Sequence, residues 1–233
     1  MQNSEYPYLQ PYSQIQSFMC GVYCWMSCAL VITAATAYYI ALQSNFFLYL
    51  SLHPGLIIVL FFAQLALVIT LVSLLQKINF VITVILFLVY SIMTGITLST
   101  IFYLYTIPSI ITTFITTAGM FGTMSVYGYM TKTDLTAIGN MSIMMLVGLI
   151  LGGLTNLFFQ SSMFDFILSG IGVVVFTLLT AYDVQKIKQI GQQVQSEGEI
   201  MAKFAIVGAL TLYLDFINLF LYLLRFMGTK RES

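Results

Sequence analysis

Long apolar runs separated by short polar turns make up most of this 233-residue chain. A run of about 20 apolar residues is long enough to cross the hydrocarbon core of a bilayer as an α-helix. By this measure the pattern predicts seven spans, at residues 18–42, 55–75, 80–105, 108–130, 138–159, 164–185 and 204–226. Helices are required because the bilayer core offers no water to the backbone N–H and C=O groups. The predicted fold is an all-α integral membrane protein with seven transmembrane helices.

Two polar segments flank the spans. Residues 1–17 contain Pro7, Pro11 and four Gln, and we expect them to form a disordered cytoplasmic tail. Residues 18–226 form the predicted seven-helix membrane domain, and residues 227–233 form a short basic C-terminal tail. No basic segment precedes the first span, which is too long for a signal-peptide core, so we expect it to be retained.

The composition agrees with a membrane protein. Only 7% of the residues are charged and 60% are hydrophobic, whereas soluble domains average about 25% charged residues. Eight acidic and eight basic residues leave no net charge, so we expect no nucleic-acid partner. The chain contains no nucleotide-binding loop, zinc motif or serine triad. We therefore expect no cofactor, and the lipid bilayer is the first partner that the sequence predicts.

The basic residues predict the orientation. Lysines follow the second, fourth and sixth spans, and the alternate loops carry no Lys or Arg: 43–54, 106–107 and 160–163. The positive-inside rule therefore places the N-terminus in the cytoplasm. Seven crossings then place the C-terminus outside, although its end carries Arg225, Lys230 and Arg231. A re-entrant last segment would keep every basic residue inside, but residues 204–226 extend about 34 Å, which favours a full crossing.

Small residues predict close helix contacts. Cysteines recur at i, i+4 and i+8 on one helical face, at Cys20, Cys24 and Cys28. Neighbours on one helix do not form disulfides, so we expect these side chains to pack against another helix; metal binding or lipidation is the alternative. Glycines are expected to allow close packing, or to serve as hinges, at Gly119, Gly122, Gly128, Gly148, Gly152 and Gly153.

Two aspartates interrupt the last two spans. Asp215 is eleven residues from both Phe204 and Phe226, hence near mid-membrane, where a charge costs about 2.5–3.5 kcal/mol on insertion scales. Asn218 is its nearest polar neighbour in the sequence. Asp183 lies near the cytoplasmic end of the sixth span. Such acids need a hydrogen-bonding or charged partner, because the apolar core does not solvate them.

Three explanations are open for these acids. Asp183 could pair with Lys186 at i+3, and Asp215 could be a buried, neutral structural acid. The third explanation is that the two aspartates face each other and share a proton, because two close carboxylates do not both ionise cheaply. Such a pair can act as a proton-controlled latch, and its deprotonated oxygens suit transient Ca²⁺ binding. The predicted span bounds, however, place the two residues at different depths.

Several segments, taken in order, resemble the Bax inhibitor-1 family, also called the transmembrane Bax inhibitor motif proteins. The C-terminal signature is "TAYDVQKIK" (180–188) followed by "GALTLYLDFINLFLYLLRF" (208–226). Upstream, "MTGITLSTIF" (93–102) and "TAGMFGTMSVYGYMTKTDLT" (117–136) are similar to the bacterial branch. The resemblance covers roughly residues 80–226 and indicates a bacterial inner membrane rather than an organelle.

The resemblance implies a fold, an activity and a site. The implied fold has its last helix in the centre, wrapped by the other six. The implied activity is a pH-sensitive Ca²⁺ leak, with calcium as the permeant ion and no enzyme chemistry. The family's hydrogen-bonded aspartates fall on Asp183 and Asp215, and we expect Tyr182, Lys186 and Asn218 to support them. Some bacterial members have a basic residue in the second helix that helps to hold the closed state. In this chain residues 55–75 contain no basic residue, and Gln64 is the candidate in its place. Residues 189–203 also form a longer predicted connection than in compact members.

Two other functions remain open at this stage. Intramembrane aspartyl proteases also carry two aspartates on neighbouring helices, the first often in a Tyr-Asp pair. Their second aspartate follows Gly-x-Gly, whereas Asp215 follows Leu-Tyr-Leu, and no Pro-Ala-Leu segment comes after it. The other candidate is a regulatory protein, because relatives are described as modulators of a membrane-bound protease complex or of cell death. Residues 1–17 and the loop after the sixth span would then contact the partner.

Overall fold

The computed structural model describes residues 10–43, 52–53, 55–75, 77–193 and 198–231. Its helices are α1 Gln10–Ala41, α2 Gly55–Leu74, α3 Phe80–Leu98, α4 Ile101–Leu104, α5 Ile107–Met130, α6 Thr136–Phe159, α7 Ser162–Gln193 and α8 Glu199–Met227.

Within these ranges, seven helices are long and apolar enough to cross a membrane, with α3 and α4 counted as one span over Phe80–Leu104. This confirms the predicted all-α fold with seven candidate spans. The side chains of α2 illustrate the surface that a bilayer requires: Ile58, Phe61 and Phe62 are each about 60% exposed. Exposed apolar surface of this extent is stable in lipid rather than in water. The central position of the last helix stays a prediction.

The polar ends of the helices differ from the predicted bounds. Helix α1 begins at Gln10, so residues 10–17 are helical where a disordered tail was expected; residues 1–9 of that tail lie outside the described residues. Helix α7 continues to Gln193, past the predicted end at 185, and α8 begins at Glu199 rather than 204. Apolar length marks only the lipid-crossing part, whereas Lys and Gln are good helix formers that extend it.

The long connection predicted after the sixth span is therefore wrong. Only residues 194–198 separate Gln193 from Glu199, and 194–197 lie outside the described residues. Lys186, Lys188 and Lys203, expected in a loop, lie on helices instead.

The described residues fall into two compact units, of which the first comprises those of Met1–Tyr103 together with Ile187–Leu210. Its helices α1 and α3 approach closely at Gly95, where a Cβ atom would lie 2.7 Å from the Thr33 carbonyl oxygen. The Thr33 hydroxyl also donates to the Ser91 carbonyl at 2.9 Å. Gln64 on α2 donates to the Thr97 hydroxyl on α3 at 2.9 Å. These contacts join the first three spans at their polar positions.

The start of α8 is tied to the turn between α2 and α3 in the same unit. Lys203 Nζ donates to the Ile78 carbonyl at 3.1 Å, and Glu199 Oε1 accepts from the Phe80 backbone N–H at 2.8 Å. Lys203 and Glu199 are themselves 3.8 Å apart, as an i, i+4 ion pair on one helix. Two charged side chains thus bind a carbonyl of the α2–α3 connection and one of the backbone N–H groups that the start of α3 leaves open.

The second unit comprises Leu104–Lys186 and Thr211–Ser233. Phe114 and Phe121 on α5 each contact the Phe216 ring on α8, with ring centroids 5.4 Å apart. Phe176 on α7 stacks on Tyr222 of α8 at 5.6 Å. After α8 the chain pairs with the α4–α5 connection, because the Arg231 N–H donates to the Leu104 carbonyl at 2.9 Å. The described part of the basic tail is therefore held by backbone hydrogen bonds.

The small residues only partly meet their predictions. Gly128 packs directly on the Ala181 carbonyl, and a Cβ at Gly152 would lie 2.8 Å from the Leu168 side chain. The other predicted glycine contacts are wrong, since no described atom lies within 4 Å of a Cβ at Gly119, Gly122, Gly148 or Gly153. The cysteines are exposed rather than packed against a helix: Cys20, Cys24 and Cys28. Residue spacing defines a helix face, but it does not say whether that face meets protein or lipid.

Candidate functional site

The candidate site is the contact between Asp183 on α7 and Asp215 on α8, both within the second unit. The two side-chain carboxyl groups are hydrogen-bonded to each other. Asp215 is only 5% exposed, and Asp183 is half-buried. Asp215 lies in a mostly apolar stretch of α8, whereas Asp183 lies at the point where α7 changes from apolar residues to the polar segment that follows it.

A hydrogen bond between two carboxyl groups requires a proton, since an ionised carboxylate only accepts. The remaining oxygen of Asp215, Oδ2, is buried and has no hydrogen-bond partner among the described residues. The arrangement can hold one proton, and loss of that proton leaves two negative charges in contact.

Measured from the α7–α8 connection, the observed helix ends place the two residues at more similar heights than the predicted span bounds did. Asp183 lies ten residues before the end of α7 at Gln193, and Asp215 lies sixteen residues after the start of α8 at Glu199. Both residues are thus well inside continuous helices. The predicted bounds placed them two and eleven residues from the connection, so the mismatch falls from nine residues to six, about 9 Å of helix rise.

The three predicted supporting residues have different roles. Lys186 Nζ lies 5.5 Å from the centroid of the Tyr182 ring, a cation–π contact. The described ion pairs do not include one between Lys186 and Asp183, so the i+3 salt bridge is not formed, although the lysine charge acts on Asp183. Asn218 Nδ2 donates to the Leu214 carbonyl of its own helix at 2.8 Å. None of the three donates a described hydrogen bond to the pair.

Two glycines bring neighbouring helices against the turn of α7 that carries Asp183. Gly128 on α5 packs on the Ala181 carbonyl, and Gly139 on α6 packs on the Tyr182 ring. A Cβ atom at either position would overlap those atoms. Residues 181 and 182 are therefore held on two sides, immediately before Asp183.

Gln185 is a further site residue that the sequence analysis did not single out. It is buried, accepts a hydrogen bond from the Leu135 backbone N–H at 2.9 Å and donates to the Thr133 carbonyl at 2.8 Å. One side chain thus fixes the α5–α6 connection to α7, two residues beyond Asp183. A polar Gln between Asp183 and Lys186 was the available signal, but its partners are 50 and 52 residues away in sequence.

Other acids in the second unit have separate partners. Asp134, in the α5–α6 connection, accepts from the Thr136 hydroxyl at 2.6 Å and backbone N–H at 2.9 Å. These hydrogen bonds hold the pKa of Asp134 below its usual range. Asp165, in the first turn of α7, lies 3.6 Å from Arg225. Neither acid belongs to the candidate site.

The carboxylate pair alone is a small ligand set for a metal ion. The described residues contain no group of three or more His, Cys, Asp or Glu that could hold one. Calcium takes 6–8 oxygen ligands. Asp183 and Asp215 supply two carboxyl groups, fewer than the ligands that calcium takes.

Comparisons with known proteins match this chain over most of its length. A family model described as "Inhibitor of apoptosis-promoting Bax1" matches residues 15–232. The chain is 47% identical to inner membrane protein YbhL of Escherichia coli strain K12 over 224 residues, which is 96% of each chain. It is 46% identical to an uncharacterised protein of Borreliella burgdorferi, covering 93% of each chain. An uncharacterised protein of Rickettsia prowazekii is 40% identical over 94% of this chain and 92% of its own.

Proposed function

The chain belongs to the Bax inhibitor-1 family, and from this premise we propose that it is a pH-sensitive calcium leak channel of the bacterial inner membrane. The observation that carries the proposal is the hydrogen bond between the Asp183 and Asp215 carboxyl groups inside two membrane-length helices. Its inner-membrane relative and its seven candidate spans support the location. The N-terminus is proposed to be cytoplasmic.

The proposed mechanism follows from the proton that the pair shares. With the proton present, the carboxyl–carboxyl hydrogen bond holds α7 and α8 together at this level. Removal of the proton replaces that hydrogen bond by repulsion between two carboxylates, which favours separation of the helices. The freed oxygens are hard ligands that attract Ca²⁺ while it passes. Calcium is thus the substrate of the site, and no bound cofactor is proposed.

Few other charged groups face the pair. Helices α5 and α6, which pack on residues 181 and 182, contain no Asp, Glu, Lys, Arg or His. On α7, Lys186 adds a positive charge next to Asp183. The exposed Asp134 titrates below the usual aspartate range, because of its hydrogen bonds, so it does not produce a response near neutral pH. The aspartate pair is therefore the group to which the pH response is assigned.

Calcium flux into proteoliposomes, measured against pH, tests this function. We expect Asp183→Asn and Asp215→Asn each to lower the flux and to flatten its pH dependence, because Asn does not ionise. Asp165→Asn is the matched control, since Asp165 lies on the same helix but pairs with Arg225. The proposal is wrong if the wild type passes no Ca²⁺, or if Asp215→Asn leaves both flux and pH response unchanged.

A regulatory binding function is the second candidate. The observation that favours it is a groove of about 370 Å³ in the first unit, lined on α1 by residues that include Gln14 and Ser17 and at the start of α8 by Gly198 and Met201. These positions belong to the two segments expected to contact a membrane protease complex or another partner. A partner that co-purifies with the wild type and with both aspartate variants would favour this function. An aspartyl protease is not proposed, because Asp215 lacks the Gly-x-Gly context of that class.

A further inference from the structure

Two buried serine hydroxyls on α5 and α6 have no hydrogen-bond partner in the part of the chain that the structure describes. Ser125 on α5 is 6% exposed and Ser142 on α6 is fully buried. Among the described residues, the buried side-chain nitrogen and oxygen atoms without a hydrogen-bond partner are Ser125 Oγ, Ser142 Oγ and Asp215 Oδ2. All three belong to the second unit. A buried polar atom without a partner is costly, so it indicates a group that satisfies it from outside the protein.

Several other buried hydroxyls in the described part of the chain are satisfied within their own helices. Ser91, Thr117 and Thr180 each donate to the carbonyl four residues earlier, at 2.8–2.9 Å. Ser169, on α7, donates to the Asp165 carbonyl at 2.7 Å. Ser125 and Ser142 could make the same bond without any change of fold, yet their hydroxyls are not turned to it. Their oxygens thus remain available to a ligand.

Residues close to each serine on its own helix contact the neighbours of the two aspartates. On α5, Ser125 lies on one face with Phe121 and Gly128, four residues before it and three after. Phe121 contacts Phe216, the neighbour of Asp215, and Gly128 packs on Ala181. On α6, Ser142 lies one turn after Gly139, which packs on Tyr182. Each serine therefore shares a helix face with a residue that contacts the chain one or two residues from an aspartate.

We infer that Ser125 and Ser142 are additional oxygen ligands for the cation that passes Asp183 and Asp215. The inference rests on the proposed calcium leak and extends its binding site from one pair of helices to four. A hydroxyl oxygen has lone pairs that can replace a water of the hydrated ion, and it adds no charge to bind the ion too tightly for release. Two hydroxyls supply part of the ligand set that two carboxylates leave incomplete.

Calcium binding to the full chain in lipid nanodiscs tests the inference independently of transport. Equilibrium binding of radioactive Ca²⁺ is measured for the wild type, Ser125→Ala, Ser142→Ala and the double variant. We expect each single variant to weaken Ca²⁺ binding about fivefold, the effect of losing one neutral oxygen contact, and the double variant to weaken it further. Ser169→Ala is the matched control, because this buried serine is satisfied by its own helix, and it should bind Ca²⁺ like the wild type.

Cysteine variants provide a second measurement if an alanine variant folds poorly. Cysteine is close to serine in size, but its sulfur prefers soft cations. Ser125→Cys and Ser142→Cys should therefore lower the affinity for Ca²⁺ and raise that for Cd²⁺ relative to the wild type. The wild type is the reference because Cys20, Cys24 and Cys28 are present in every variant.

The outcomes separate this inference from the proposed function. If Asp183→Asn and Asp215→Asn abolish binding and flux while the serine variants equal the wild type, the serine ligands are refuted and the leak function stands. If the wild type passes no Ca²⁺ but binds it in a serine-dependent way, the leak function fails and the serine ligands stand. Equal losses in Ser169→Ala and the two serine variants would refute the ligand role, as would absence of Ca²⁺ binding by the wild type.

Discussion

At the scale of single residues, buried polar side chains around α7 have two distinct kinds of partner. Gln185 is satisfied by the backbone of a distant connection, through the Leu135 N–H and the Thr133 carbonyl. Asp183 and Asp215 instead contact each other, and one Asp215 oxygen has no hydrogen-bond partner among the described residues. Gln185 thus positions the α5–α6 connection against the helix that carries Asp183. The aspartates are the groups that we propose to gain or lose a proton.

Replacement of Gln185 tests this positioning role. Gln185→Leu fills a similar volume but leaves the buried Leu135 N–H without its acceptor, which costs about 1–3 kcal/mol. We expect the thermal unfolding midpoint to fall by several degrees while Ca²⁺ flux keeps its pH dependence. Gln189→Leu, the same change at an exposed position one turn further along α7, should leave the midpoint nearly unchanged. Equal midpoints for the two variants would contradict this account.

At the scale of elements, the polar extensions of α7 and α8 matter as much as their apolar spans. The extension of α7 to Gln193 places Asp183 well inside the helix, and the early start of α8 brings Glu199 and Lys203 to the α2–α3 turn. There Lys203 donates to the Ile78 carbonyl of the connection, and Glu199 accepts from the backbone N–H of Phe80 at the start of α3. A lysine that is buried to this extent is stable because its ammonium group has both a carbonyl and a carboxylate close by.

The variant Lys203→Met tests this attachment. Methionine keeps much of the apolar stem but removes the donor to the Ile78 carbonyl, at a cost of about 1–2 kcal/mol. We expect faster backbone hydrogen exchange in residues 77–80 and a lower thermal midpoint. Lys77→Met is the control, since Lys77 is exposed in the same turn. Unchanged exchange in Lys203→Met would show that the lysine does not hold the turn.

At the scale of the whole molecule, the question is how many times the chain crosses the membrane. Helix α8 is continuous over 29 residues, and the described chain has seven helices of membrane-spanning length and composition. An odd number of crossings places the two termini on opposite sides. This conflicts with the basic residues at the C-terminal end, where Arg225 is paired with Asp165 at 3.6 Å. Pairing lowers the cost of placing one of those charges outside.

Reporter fusions to the full chain test the crossing number. We expect a fluorescent protein on the N-terminus to be fluorescent, as it is in the cytoplasm, and alkaline phosphatase on the C-terminus to be active, as it is outside. The swapped fusions, with each reporter on the other terminus, serve as controls and should be silent. An inactive C-terminal phosphatase together with a fluorescent C-terminal fusion would indicate an even number of crossings and a re-entrant last segment.

The length of the apolar runs was sufficient to predict the fold class, the seven spans and the two costly aspartates, because the absence of water in a bilayer leaves so few solutions for apolar segments. It did not predict helix ends, since Lys, Gln and Glu extend helices beyond the lipid without any apolar signal. Nor did it identify Gln185, whose hydrogen-bond partners lie in a distant connection. It did not identify Ser125 or Ser142 either, because their hydroxyls stand out only for having no hydrogen-bond partner among the described residues. Hydrogen bonds between residues 50 apart and the contact between the two aspartates arise only when the helices pack, because packing alone sets which faces meet.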